Sequence, residues 1–244
     1  MANVEELLNA LASGETANIV PRSRAEEYLL AMINGETDVP EPVSRMDALM
    51  YQICQNGTGG GGIEKGVSYE EIDSDGYLIS VKVYGTEVPC EAFYTSPRLK
   101  TANLAKSIEK IGNEAFCKCS NLASVELPEG LTEIGNEAFY NCSNLTLKKL
   151  PSSIEKIGSN AFTYCYKITA IEFPEGLMEI GNSAFSYCTG LRTVTFKGTP
   201  DSIHQYAFNP CSNLTTINVP WSEGAVANAP WGATKATINY NYTE

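Results

Sequence analysis

The dipeptide Ala-Phe recurs at Ala92-Phe93, Ala115-Phe116, Ala138-Phe139, Ala161-Phe162, Ala184-Phe185 and Ala207-Phe208, each step being 23 residues. A cysteine follows three residues after Phe in five of the six units, and Leu (Ile168 once) follows three after that. The fullest unit is Ile108-x-x-Ile111-Gly112-x-x-Ala115-Phe116-x-x-Cys119-x-x-Leu122-x-x-Val125-x-Leu127-Pro128. A fixed period of this length means a stacked chain in which each unit covers the next and each position lies over its equivalents. A position that faces the interior must then be apolar in every coil. Phe116, Phe139, Phe162, Phe185 and Phe208 are expected to form an aromatic column, and Leu122, Leu145, Ile168, Leu191 and Leu214 an aliphatic one.

The segment L-x-x-V-x-L predicts a short strand with Val125 and Leu127 inward at period two, repeated by Ile171 and Phe173, Val194 and Phe196, and Ile217 and Val219. Between Cys and Leu stand Ser120-Asn121, Ser143-Asn144, Tyr166-Lys167, Thr189-Gly190 and Ser212-Asn213. Asn and Gly at the second place predict a positive φ there, with strain or a different turn at Lys167. Asn113, Asn136, Ser159 and Asn182 suit a cap on a short helical turn. The recurrent cysteines are read as reduced interior thiols, since free Cys is a small hydrophobe that is often buried. Cys117-Lys118-Cys119 lacks a second Cys or His pair and is not read as a metal site. In one coil Lys148 holds the place of Val125. Either the strand slips there with Leu147 turned inward, or Lys148 reaches a solvated edge. Pro89 and His204 stand where other coils have Gly, and Trp231 is the candidate lid of the last coil.

This unit resembles the BspA-like leucine-rich-repeat family, whose repeats run I-x-x-I-G-x-x-A-F-x-x-C-x-x-L-x-x-I-x-L-P. The resemblance covers residues 85–220. It implies an α/β repeat fold, a right-handed leucine-rich-repeat solenoid with 23-residue coils and a parallel sheet on one face. It also implies a surface or secreted adhesion role, and the motif carries no catalytic residues.

The N-terminal part differs. Residues 1–56 read as short helices. Pro21-Arg22-Ser23-Arg24 and Pro42-Val43-Ser44-Arg45 open two segments 21 residues apart, with Ser23/Glu26 and Ser44/Asp47 as capping boxes. Helices this short need a partner, and self-association through them is expected. Residues 57–62 are a Gly-rich linker without the Gly-Lys-Ser/Thr of a phosphate loop. Residues 63–84 read as a capping hairpin around Asp75-Gly76, and 221–244 as a C-terminal cap. This arrangement, with the terminal Pro230-Trp231-Gly232-Ala233-Thr234 stretch, is similar to prophage proteins of Gram-positive gut bacteria and implies a particle-associated role.

Lys and Arg total 17 against 29 Asp and Glu, a net charge of −12. Such a chain repels phosphate backbones, so nucleic acid is not an expected partner. No run is long and apolar enough for a membrane span. The start MANVEELLNALASGE carries acids where a secretory signal carries positive charge. We expect cytoplasmic synthesis, with a virion or the cell surface reached by a route no motif discloses. With one histidine, His204, and no paired acid and base, no enzyme and no cofactor are expected. Function is expected in binding a protein or glycan, on one of two surfaces. The first is the outward strand face: Lys149, Glu172, Arg192, Thr193, Thr195, Thr216 and Asn218, with Glu126, Lys149 and Glu172 as an alternating-charge ladder. The second is an aromatic edge of Tyr140, Tyr164, Tyr187 and Tyr206 near the Phe-to-Cys turn, with Tyr166 beside it.

Overall fold

A computed structural model describes residues 67–72 and 78–243. The segments read as N-terminal helices, glycine linker and Asp-Gly turn lie outside the described residues. The chain divides into two compact units, and the solenoid is the one formed by Lys65–Glu71 and Leu78–Glu244.

The solenoid is a parallel β-solenoid of about 7 turns. Each coil has three sides. The first carries the L-x-x-V-x-L strands: β2 (Leu78–Val83), β4 (Thr101–Leu104), β6 (Ser124–Glu126), β9 (Ala170–Phe173), β11 (Thr193–Phe196), β13 (Thr216–Asn218) and β14 (Thr237–Asn239). β1 (Val67–Ile72) lies beside β2. The second side carries two-residue strands just before the recurrent glycine: β3 (Glu87–Val88), β5 (Lys110–Ile111), β7 (Glu133–Ile134), β8 (Lys156–Ile157), β10 (Glu179–Ile180) and β12 (Ser202–Ile203). The third side holds the Ala-Phe turns. The expected single sheet is therefore joined by a second, because x-Ile-Gly also stacks on itself in parallel register: Lys110↔Glu133, Glu133↔Lys156, Glu179↔Lys156.

Both columns form as expected. Phe rings stack from Phe93 to Phe116, Phe139, Phe162, Phe185 and Phe208 at centroid spacings of 5.0, 5.2, 5.2, 5.0 and 5.7 Å. Leu122, Leu145, Ile168, Leu191 and Leu214 are buried beside them. Burial of each such side chain is worth roughly 1.5–3 kcal/mol. Trp231 is fully buried, 6.4 Å from the Trp221 ring and 6.2 Å from Phe196, and its carbonyl accepts the Phe208 N–H.

The cysteines do more than fill space. Each Sγ donates to the Phe carbonyl of the preceding coil: Cys119 to Phe93, Cys142 to Phe116, Cys165 to Phe139, Cys188 to Phe162 and Cys211 to Phe185, at 2.9–3.2 Å. Ser96 stands at this register in the Phe93 coil, where no earlier Phe carbonyl exists, and its buried hydroxyl has no partner among the described residues.

Two local expectations are overturned. Asn121, Asn144, Lys167 and Asn213 do not have positive φ; left-handed residues fall instead at Glu114, Glu137, Asn160 and Ser183, and at Lys118, Asn141, Tyr164 and Tyr187. The reason is tertiary. Alternating handedness aims the N–H groups of Glu114, Phe116 and Lys118 along the axis, onto the Asn136, Ala138 and Tyr140 carbonyls of the next coil at 2.7–2.8 Å. The Cys-to-Leu asparagines serve as reach-back donors, Asn121 to the Pro97 carbonyl and Asn213 to that of Thr189. Nor does Asn113 cap a helix: no helix occurs among the described residues, and its Oδ1 accepts from the Asn136 N–H one coil on. The recurrent glycines answer to close approach, since a Cβ on Gly158 would stand 2.6 Å from the Asn136 backbone nitrogen. Pro89 is tolerated because β3 is the edge strand of its sheet among the described residues.

At Lys148 the first side breaks. The ammonium cannot enter the core unpaired, so Lys148 is exposed and Leu147 is half-buried. The first-side sheet divides into β1-β2-β4-β6 and β14-β13-β11-β9, with a single bridge, Lys149↔Glu172, at the junction.

Candidate functional site

The strand face is largely occupied with its own ladder. Thr193, Thr195, Thr216 and Asn218 stand in register on β11 and β13. Asn218 is only 8% exposed; its Nδ2 donates to Thr195 Oγ1, and its Oδ1 accepts from Asn239. Glu172 pairs with Lys197 at 3.7 Å. Lys149 and Arg192 are exposed. The expected Glu126–Lys149–Glu172 ladder does not form as a run, because the break at Lys148 separates β6 from Lys149. An alternating-charge ladder does exist, on the second side, where Lys110 meets Glu133 at 3.3 Å and Lys156 meets Glu179 at 3.2 Å. It was legible as a 23-residue recurrence of Glu87, Lys110, Glu133, Lys156 and Glu179, once x-Ile-Gly is read as a strand.

The tyrosines converge. Tyr140, Tyr164, Tyr187 and Tyr206 line one open groove of about 520 Å³ on the third side. Tyr164 and Tyr187 stack at 4.8 Å, Tyr140 meets Tyr164 edge-on at 5.4 Å, and Tyr166 lies 6.1 Å from Tyr164. Tyr187 and Tyr206 are 44% and 48% exposed. Burial and the neighbouring Tyr164 push the Tyr140 hydroxyl above its usual range, so it remains a proton donor at neutral pH. Between the rings lie Glu137, Asn160, Asn182, Ser183 and Asn209.

The backbone choice at this groove is costly. Tyr164 and Tyr187 hold left-handed φ of 64° and 55°, where the equivalent residue one coil earlier is Asn141. Left-handed backbone costs an L-residue roughly 1–2 kcal/mol, and Asn is the side chain that tolerates it. The fold demands the left-handed turn in each of these coils, yet nothing in the fold demands tyrosine there.

Chemistry of other kinds finds little support. Glu114, Cys117 and Glu137 bring two carboxylates and a thiol within 4.8 Å of one another. The two carboxylates share one register position and Cys117 follows Glu114 by three residues in the same turn, while the Cys119 thiol of the C-x-C pair is turned to Phe93 instead. Desolvation pushes Cys119 and Cys211 up to about 12 and raises Cys142, Cys165 and Cys188 well above the usual thiol range. Thiols so held are neither nucleophiles nor ready metal ligands. His204 is exposed and accepts the Tyr206 N–H at 3.2 Å, closing its own turn.

The chain matches the model of the BspA-type leucine-rich-repeat region with 6 copies over residues 86–222. It is similar to the leucine-rich-repeat protein of T. pallidum, with 31% identity and a TM-score of 0.53, covering 58% of this chain and 72% of that one. It shares its fold with the pneumococcal vaccine antigen PcpA, with 21% identity and a TM-score of 0.55, covering 72% of this chain and 43% of the antigen. No curated protein matches. Six tandem units, the stacked Phe column and the cysteine ladder agree with that assignment: the chain belongs to the BspA-type leucine-rich-repeat family.

Proposed function

We propose that this chain is a non-catalytic adhesion module that presents the third-side tyrosine groove, rather than the strand face, to a protein or glycan partner. The observation that carries this is the pair Tyr164 and Tyr187, half-buried and exposed aromatic side chains held at left-handed positions that Asn141 fills at lower cost. The strand face supports the same choice by contrast, because Asn218 and Thr195 bond to each other. Family membership supports a binding scaffold. We assign the module to a bacterial surface or a phage particle; flanking tail or lysis genes would indicate the particle, and an export route the surface. Residues 1–56 are the segment we assign to self-association.

The test is an array of glycans and proteins, together with whole bacterial cells, probed with the full chain and with Tyr187→Asn. A partner bound by the full chain and lost in Tyr187→Asn supports the groove. A partner retained by Tyr187→Asn and lost in Arg192→Ala moves the site to the strand face.

A further inference from the structure

Resting on the binding-module reading above, we infer that the groove takes an extended neutral glycan, lying along the solenoid axis against the ring edges and hydroxyls of Tyr164 and Tyr187. The first argument is geometric. Tyr140, Tyr164, Tyr187 and Tyr206 come from four successive coils, so the row spans about 14 Å at the spacing of parallel strands. Pyranose units in an extended chain repeat at close to one coil rise, so successive rings meet successive coils. Because Tyr164 and Tyr187 cover each other's faces, the row offers apolar ring edges and a hydroxyl at each rim.

The second argument concerns what the groove can offer by hydrogen bonding. Its backbone is already consumed. The N–H groups of Asn160, Tyr164 and Tyr187 donate to the carbonyls of Asn182, Ser186 and Pro210 in the next coil. The Thr163 and Ser186 hydroxyls donate onward to the Ser183 and Asn209 carbonyls. A peptide seeking to add as a strand finds no free edge here. What remains is side-chain chemistry. Asn182 accepts from Ser183 Oγ at its oxygen, and its NH2 has no acceptor among the described residues. The Asn160 amide oxygen lies 3.4 Å from Thr163 Oγ1, whose one proton is already on the Ser183 carbonyl. Amides, phenols and the Glu137 carboxylate beside aromatic ring edges match the alternating hydroxyls and apolar patches of a sugar.

The third argument is charge. No Lys or Arg lines the groove, Glu137 does, and the chain carries −12. Sulfated or uronic-acid polymers are therefore repelled, and a neutral glycan is selected.

The experiment uses the full chain with neutral cello-, xylo-, manno- and N-acetylchito-hexaoses, a polygalacturonate and a proline-rich peptide, read by calorimetry and tyrosine fluorescence. The control is Tyr164→Asn/Tyr187→Asn. Asn is the residue already used at Asn141, so the variant should melt no lower than the native chain. We expect at least one neutral hexaose to bind, with affinity rising with length up to about four sugars and falling about tenfold or more in the double variant. The glycan inference is overturned if no neutral hexaose binds, or if one binds equally well to the double variant. It is also overturned if the polygalacturonate or the peptide binds in their place. A protein or peptide that binds the native chain and is lost in the double variant would overturn the glycan alone, leaving the groove as a protein site. Binding that ignores the double variant and falls in Arg192→Ala would overturn the groove as well.

Discussion

The cysteine of the repeat illustrates how one residue type answers two demands at once. Its register must be apolar, and the Phe carbonyl of the preceding coil needs a donor; a thiol meets both, while serine meets the second at a higher desolvation cost. The 23-residue recurrence made the interior position of Cys119, Cys142, Cys165, Cys188 and Cys211 legible. Their donation 26 residues back was not, because it depends on the lateral offset between coils. A pH signature follows. The folded thiols of Cys119 and Cys211 lie at about 12 because of desolvation, against roughly 8.5 when unfolded. A raised thiol pKa contributes stability that is complete below the unfolded value and is lost as pH rises toward the folded one. Denaturant titrations from pH 8 to 10 should show stability falling as the unfolded thiols ionise, by up to about 1.4 kcal/mol per pH unit per thiol. Cys119→Ser should lessen that slope by one proton. A slope unchanged by Cys119→Ser would show that its thiol is not held neutral by burial.

Among elements, the strand at Lys148 and the glycine turns show where pattern and packing part company. Substitution of Val125 by Lys148 in the pattern flagged the coil, yet both outcomes considered were open, and only the packing settled that the ammonium goes out and the sheet divides. Lys148→Val should restore an inward side chain, raise stability by about 1–2 kcal/mol and slow amide exchange at 147–150. Unchanged exchange would mean that the break has another cause. Gly158→Ala should cost more than the roughly 0.4–1 kcal/mol that a less flexible unfolded chain would return, because the new Cβ meets the Asn136 backbone at 2.6 Å. Equilibrium unfolding would register it, and a neutral result would show that neighbouring coils yield easily. The left-handed turns were misplaced from sequence for a related reason. Local propensity favours Asn and Gly, but the positions that turn are those whose N–H groups must reach the next coil, and Glu114 and Glu137 obey that demand despite their propensity.

For the whole molecule, a solenoid's stability resides in its interfaces between coils, and the last interface must be closed. Trp231 closes this one, fully buried against Phe196 and Trp221, with its Nε1–H on the Ala227 carbonyl at 2.7 Å. Trp231→Ala should lose about 3–5 kcal/mol and promote association of the uncovered ends. Denaturant midpoints and light scattering check both, and a variant with the native chain's stability and mass in solution would remove the lid role. At this scale the sequence by itself determined the period, the two apolar columns, the inward cysteines and the family. Each of these is a one-dimensional recurrence that stacking turns directly into a core. Only the tertiary structure decided the second sheet, the left-handed positions, the break at Lys148 and the ring geometry of the tyrosine edge that the sequence already disclosed. Those depend on how one coil's backbone meets the next, a distance the chain's own order does not record.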